Sequence, residues 1–170
     1  MILPLLVLLA AAPENLTHRV TGLFSREREA DLREAVKRLP EVELLAVDFD
    51  RGEATFSFDP AKLFKGVKEK DRADRFDQLL KQASSHTFGI RPPCAVPWEN
   101  LKLVEIPVAG LDCKGCELAA YESISKIDGV EQATASFKAG RVTARIDPTK
   151  PSRDALIEAL KKRNVTIKAP

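Results

Sequence analysis

Two α+β units in tandem, each running β-α-β-β-α-β, are what the sequence predicts. Three observations carry this. The chain resembles itself at a constant offset of 88 positions. Within each copy, apolar residues switch between strand spacing and helix spacing in the same order. A stretch rich in proline separates the copies. The order is the split βαβ arrangement of ferredoxin-like folds, and 170 residues are enough for two such small domains.

The repeat is read without gaps. Gly22-Leu23 aligns with Gly110-Leu111, Glu29 with Glu117, Glu34 with Glu122, and Val42 with Val130. Phe49 then meets Phe137, Gly52 meets Gly140, Thr55 meets Thr143, and Asp59-Pro60 meets Asp147-Pro148. A period this long is too great for a solenoid and indicates a duplicated domain.

In the first copy, residues 13–90, Thr17 to Leu23 reads as a strand and Arg26 to Leu39 as a helix. Val42–Phe49 and Glu53–Phe58 form a hairpin. A charged insertion, Lys65 to Asp71, has no downstream counterpart; a helix over Arg72–Ala83 and a strand over His86–Ile90 follow. Residues 91–101, with Arg91-Pro92-Pro93-Cys94-Ala95-Val96-Pro97, form a stiff linker.

In the second copy, residues 102–170, Leu103 to Val108 is a strand and Gly110 to Cys116 a loop. Leu118, Tyr121, Ile124 and Ile127 recur at helical spacing over 115–127 and mark one buried face. Asp128-Gly129 stops that helix. Val130–Phe137 and Val142–Ile146 are strands joined by a turn at Lys138-Ala139-Gly140. Ser152 caps a helix over Arg153–Arg163 with Leu156, Ile157 and Leu160 inward, and Val165–Ile167 is the last strand.

Composition sets broad limits. Apolar residues make up 44% and charged residues 31%, with a net charge of +2. The two signs alternate along the chain, so no basic footprint for nucleic acid is present. Met1–Ala12 is an apolar run too short to span a bilayer. With Ala10-Ala11-Ala12 as a cleavage pattern it reads as a signal peptide, although no Lys or Arg precedes it and Pro13 follows. The mature chain is thus expected in a periplasm or outside the cell, with no membrane span after signal removal; without export it would be cytoplasmic.

Three cysteines, Cys94, Cys113 and Cys116, cannot all pair within one chain. Cys113-Lys114-Gly115-Cys116 falls between the first strand and first helix of the second copy. Thiolate, not thiol, binds metal. The unpaired N–H groups of a helix N-terminus and the cation of Lys114 both favour thiolate. Soft sulfur donors select Cu(I) or Zn(II) over Mg or Ca.

Gly110-Leu111-Asp112-Cys113-Lys114-Gly115-Cys116, followed by Ile124 and Asp128-Gly129-Val130, resembles the heavy-metal-associated domain. That family includes small copper chaperones, periplasmic mercury-binding proteins and N-terminal modules of metal-transporting P-type ATPases. The resemblance covers the whole second copy and implies a βαββαβ fold with Cys113 and Cys116 as metal ligands. It also implies a partner that accepts the metal, such as a metal-transporting ATPase. Leu111 stands where the family usually has Met. Asp112 resembles the acidic residue of zinc, cadmium and lead modules and could add an oxygen ligand; as an alternative it caps the helix. Two thiolates suffice for Cu(I) or Hg(II), whereas zinc usually takes four ligands. In some copper chaperones a Lys near the last loop balances charge; the equivalent position here is Val165, beside the basic Lys161-Lys162-Arg163.

In the first copy Ser25 and Arg28 replace the cysteines, so that copy is degenerate. Cys94 is read as a linker thiol that could fold back as a third sulfur or cross-link two chains. His18 and His86 are placed on outer strands, away from the CxxC, and Trp98 and Phe88 flank the linker. The leading expectation is a non-enzymatic metal carrier or sensor. A thiol–disulfide redox protein using the same CxxC is the alternative, and an interaction module is the third. No Ser/His/Asp set, phosphate loop or spaced carboxylate pair points to an enzyme.

Overall fold

The computed structural model describes residues 13–94, 96–110, 113–150 and 152–168. The expected signal segment, Met1–Ala12, lies outside them. Among the described residues no helix is long and apolar enough to cross a membrane.

The first unit comprises β1 (Glu14–Thr21), α1 (Arg28–Val36), β2 (Val42–Asp48), β3 (Glu53–Phe58), α2 (Pro60–Leu63), α3 (Arg72–Ala83) and β4 (Gly89–Arg91). The second comprises β5 (Lys102–Ala109), α4 (Lys114–Ser125), β6 (Val130–Ser136), β7 (Arg141–Ile146), α5 (Arg153–Lys161) and β8 (Thr166–Ile167). Each unit has a four-stranded antiparallel sheet, in the orders β2-β3-β1-β4 and β6-β7-β5-β8. This is the α+β, ferredoxin-like architecture in tandem. Pairing repeats at the sequence offset: Val42 faces Phe58, and Val130 faces Ile146.

Alternation explains the strands. Ala54, Phe56 and Phe58 of β3 are buried, as are Val142, Ala144 and Ile146 of β7. The helices close each sheet with Leu32, Phe76 and Leu80 in the first unit and Ala120, Ile124, Leu156 and Leu160 in the second, all fully buried. Oxygen side chains cap two of the helix starts: Asp59 accepts from Ala61 N–H before α2, and Ser152 accepts from Ala155 N–H before α5.

Several elements differ from the sequence reading. α1 begins at Arg28 and ends at Val36, because no side chain caps its start and it carries only a short apolar face. The charged insertion, to which the sequence reading assigns no element, carries a 3-10 turn at Glu69–Asp71 that leads into α3. Leu118 is exposed, and α4 buries Ala120 beside the expected Tyr121 and Ile124. β4 runs Gly89–Arg91, so Arg91 ends a strand, while His86 sits exposed in the preceding turn at a positive φ. Phe88 is a core residue of the first unit. His18 is not on an outer strand: β1 lies between β3 and β4, and the imidazole stacks on Phe76 at 5.4 Å.

The two units are in contact, which the sequence did not reveal. Phe24 of the first belongs to the hydrophobic core of the second and lies 5.5 Å from the Tyr121 ring. Gly22 N–H donates to Tyr121 Oη at 2.9 Å, and Ala135 N–H donates to the Phe24 carbonyl at 3.0 Å. Arg19, nearly buried, pairs with the Glu131 carboxylate at 2.8 Å and donates to the Pro92 carbonyl at 3.0 Å. The register of β6 skips Glu131 between Val130 and Gln132, which leaves its backbone free of the ladder. Trp98 bridges the units, with the Arg51 and Arg145 guanidinium carbons 5.3 and 4.7 Å from its ring.

Two predictions follow from this packing. Glu131→Ala leaves a buried guanidinium without its carboxylate and should cost about 3 kcal/mol of stability in urea unfolding; a change near zero would show that the contact is not formed in solution. Burial lowers the His18 pKa below its ordinary 6.5, and Nε2 is buried without a hydrogen-bond partner. Protonation therefore favours the unfolded chain. The stabilising contribution is complete above pH 6.5 and is lost as pH falls toward the lowered value. His18→Gln should flatten the pH dependence of urea midpoints in that window, and an unchanged slope would contradict the assignment.

Candidate metal centre

The CxxC is carried by the link from β5 into α4. Val104, Ile106 and Val108 of β5 point into the core, and Tyr121 and Ile124 hold α4 against it. These two anchors leave the short connection to present its sulfurs at the end of the sheet. Gly110 makes the turn at φ +77, a conformation that favours glycine. Cys113 is the N-cap residue of α4, extended at φ −148 and ψ 158. Its Sγ accepts from Cys116 N–H at 3.1 Å. The sulfur thus takes the place that a Ser or Asp oxygen commonly fills, where N–H groups concentrate positive potential.

Cys116 lies one turn inside α4 and packs against the second core, whereas Cys113 is exposed. The structure holds the two as a disulfide with Cα atoms 5.1 Å apart. The backbone therefore already brings both sulfurs to one point. Reduction would release a dithiol with one solvent-facing sulfur and one half-sheltered sulfur. Such a pair suits a soft ion that is content with two sulfur ligands. Among the described residues no group of three or more His, Cys, Asp or Glu could hold a metal. Asp112, the further oxygen ligand considered from sequence, lies outside the described residues, as does Leu111.

The surroundings are shared between the two units. A cleft of about 540 Å³ is lined by Cys113, Leu118 and Phe137 on one side and by Phe24, Ser25 and Arg28 on the other. Glu117 accepts from Phe137 N–H at 2.5 Å, tying the first turn of α4 to the β6–β7 turn. Arg28 is held over Phe24 and Phe88 at 5.2 and 4.8 Å and pairs with Asp31. The Glu27 carboxyl, exposed nearby, is held below its usual range by its own backbone N–H and Ser25, with smaller help from Lys138 and Lys114.

The remaining sequence candidates fall elsewhere. Cys94 lines a separate cleft with Arg51, Arg91 and Trp98, which shares no residue with the cleft at Cys113. It is not brought in as a third sulfur. Burial pushes its thiol pKa up, against a smaller opposing pull from the Arg19 guanidinium. His18 sits among the phenylalanines of the first core and His86 on its surface turn. Sequence reasoning missed Phe24 and Arg28 as neighbours of the site. The available signal was Phe24 itself: an aromatic residue at the loop position occupied by Asp112 in the second copy.

Residues 105–164 match the model of the heavy-metal-associated domain. Over 70 residues, 41% of this chain, it is 30% identical to a zinc-transporting ATPase of Synechocystis sp., of whose length it spans 10%. Over 62 residues, 36% of this chain, it is 29% identical to the periplasmic component of a mercuric transport protein from Pseudomonas fluorescens, covering 68% of that protein. The solved N-terminal soluble domains of Bacillus subtilis CopA superpose with a TM-score of 0.38 at 19% identity, over 92% of this chain and 93% of that one.

Accessibility and burial give an order of reactivity for the reduced chain. At neutral pH iodoacetamide should label Cys113 first and Cys94 last, and the Cys94 rate should keep rising as the solution is made alkaline. Mass spectrometry of timed samples reads this out; Cys94 reacting first would contradict the placement.

Proposed function

We propose, on the premise that residues 105–164 form a heavy-metal-associated domain, that the reduced chain takes up one soft metal ion through Cys113 and Cys116 and passes it on as a carrier or sensor. The observation that supports this best is the N-cap position of Cys113, with its sulfur accepting from Cys116 N–H. That geometry favours thiolate at neutral pH, which both capture and release require. Cu(I), Hg(II) and Zn(II) are the candidate cargoes. Two thiolates complete the coordination of the first two, while zinc would call on further ligands, with Asp112 the nearest in sequence.

Transfer follows from the exposure difference. A thiolate of an accepting protein approaches the ion on the side of Cys113, which faces solvent. Cys113 then leaves, and Cys116 follows as a second acceptor ligand arrives. The exchange needs no oxidant or reductant and no catalytic group, so we read the module as non-enzymatic. The acceptor, on this reading, is a cysteine-bearing metal transporter such as an ATPase, and the working compartment is a periplasm or the cell exterior.

The disulfide at Cys113–Cys116 favours a second reading, thiol–disulfide exchange. On that reading the oxidised pair would accept electrons from a substrate dithiol and would bind metal only after reduction.

Anaerobic titration of the reduced chain separates the two. One ion per chain is expected, with at least a hundredfold loss of affinity in Cys113→Ser/Cys116→Ser. If the reduced wild type binds none of the three ions while its disulfide turns over substrate thiols, the redox reading replaces the metal one.

A further inference from the structure

The CxxC has a neighbour that the duplication explains. Residues 22–28 and 110–116 are equivalent in the sequence repeat, and Phe24, Ser25, Glu27 and Arg28 line the same cleft as Cys113, Lys114 and Gly115. Position by position, the thiols of Cys113 and Cys116 answer to the hydroxyl of Ser25 and the guanidinium of Arg28. The second copy therefore faces a version of its own metal loop from which both sulfurs have gone.

That loop is fixed in place. Phe24 is buried in the core of the second unit, Gly22 N–H is bonded to Tyr121, and Ser25 is buried. The first unit also covers an edge of the second sheet. β6 is an edge strand, and such strands offer free backbone groups to other chains. Here Ala135 N–H is taken by the Phe24 carbonyl. The Glu131 carbonyl accepts from Arg19 and Arg91, and the Val130 carbonyl accepts from Arg91 at 3.4 Å. Arg91 also donates to the Ser125 carbonyl at the end of α4, at 2.7 Å.

We infer that the first copy is a resident, thiol-free partner of the second, which covers the β6 edge and keeps a bound metal ion on the two sulfurs of a single chain. A second CxxC bridging the ion from this side would have to enter a cleft already walled by Phe24, Ser25, Glu27 and Arg28. Cys113 is exposed to solvent, so a narrow acceptor segment carrying a thiol still reaches the ion. In place of sulfur ligands the first copy carries Phe24, which is buried in the second core, and Arg28, whose guanidinium lies over the Phe24 ring within the first unit.

The inference rests on the metal-binding reading, and the test separates the two. Native mass spectrometry and the thiolate-to-metal absorption of bound Cd(II) are recorded for the wild type, for Phe24→Ala/Arg91→Ala, and for the milder Arg91→Ala, each shown to be folded by circular dichroism. The wild type should stay a single chain with two thiolates per ion. The loosened variants should double in mass on metal addition, toward the four-sulfur coordination that such ions prefer. A wild type that doubles, or folded variants that stay single like the wild type, overturns the inference. A metal-free measurement accompanies it: in a Cys94→Ser/Cys116→Ser background, Glu27→Cys should cross-link to Cys113 within one chain through a short bismaleimide. Failure of that cross-link overturns the inference whatever the metal result. A wild type that binds no metal while the cross-link forms sinks the functional reading instead.

Discussion

At the start of α4 the Cys116 N–H is shared between the Cys113 carbonyl, at 3.0 Å, and the Cys113 sulfur, at 3.1 Å. This shared hydrogen bond sets both halves of the site at once. It starts α4 at the residue that must ionise, and it turns the backbone so that the second cysteine comes round to the first. Burial of Val108 before the loop and Ala120 and Tyr121 after it then holds the connection in place.

The same architecture without the sulfurs shows what duplication allowed. In the first unit the equivalent turn keeps its backbone bonds, with Arg28 N–H donating to the Ser25 carbonyl at 3.0 Å, as Cys116 N–H does to Cys113. Gly22 keeps a positive φ, as Gly110 does, and a side chain there would meet the Thr87 carbonyl at 2.2 Å. The backbone turn is common to both units and the side chains on it differ. Phe24 is buried against a neighbour that an isolated module would lack. The interface mixes this apolar plug with a nearly buried ion pair at Arg19 and Glu131. Such a pair adds little net stability but penalises any arrangement that separates its charges, so it fixes orientation more than it drives association.

Much of this was legible in the sequence. The constant offset from Gly22 to Pro60 predicted two like units, and the period-two runs at Ala54–Phe58 and Val142–Ile146 gave the central strands, because buried strands leave little freedom in spacing. Ser152 marked the start of α5 by its cap chemistry. The Cys113–Cys116 spacing and its place before a helix gave the candidate ligands. Leu118 misled, because helical spacing alone does not say which of two adjacent faces the sheet will cover. His18 misled because strand order in a sheet depends on pairing between distant segments. The contact of the two units was hidden for the same reason: Phe24 reads as an ordinary loop residue until Tyr121, 97 positions later, is placed beside it.

The most direct test of the central claim, that the reduced CxxC is a soft-metal site, is a backbone and side-chain NMR titration of the reduced chain with Cu(I) or Hg(II). Resonances of Cys113, Cys116 and the first turn of α4 should move in one saturating step at one equivalent, with smaller shifts at Ser25 and Arg28 across the cleft and none at Cys94 or His18. A spectrum that does not change on adding metal, or one that changes chiefly around Cys94 and His18, would contradict it.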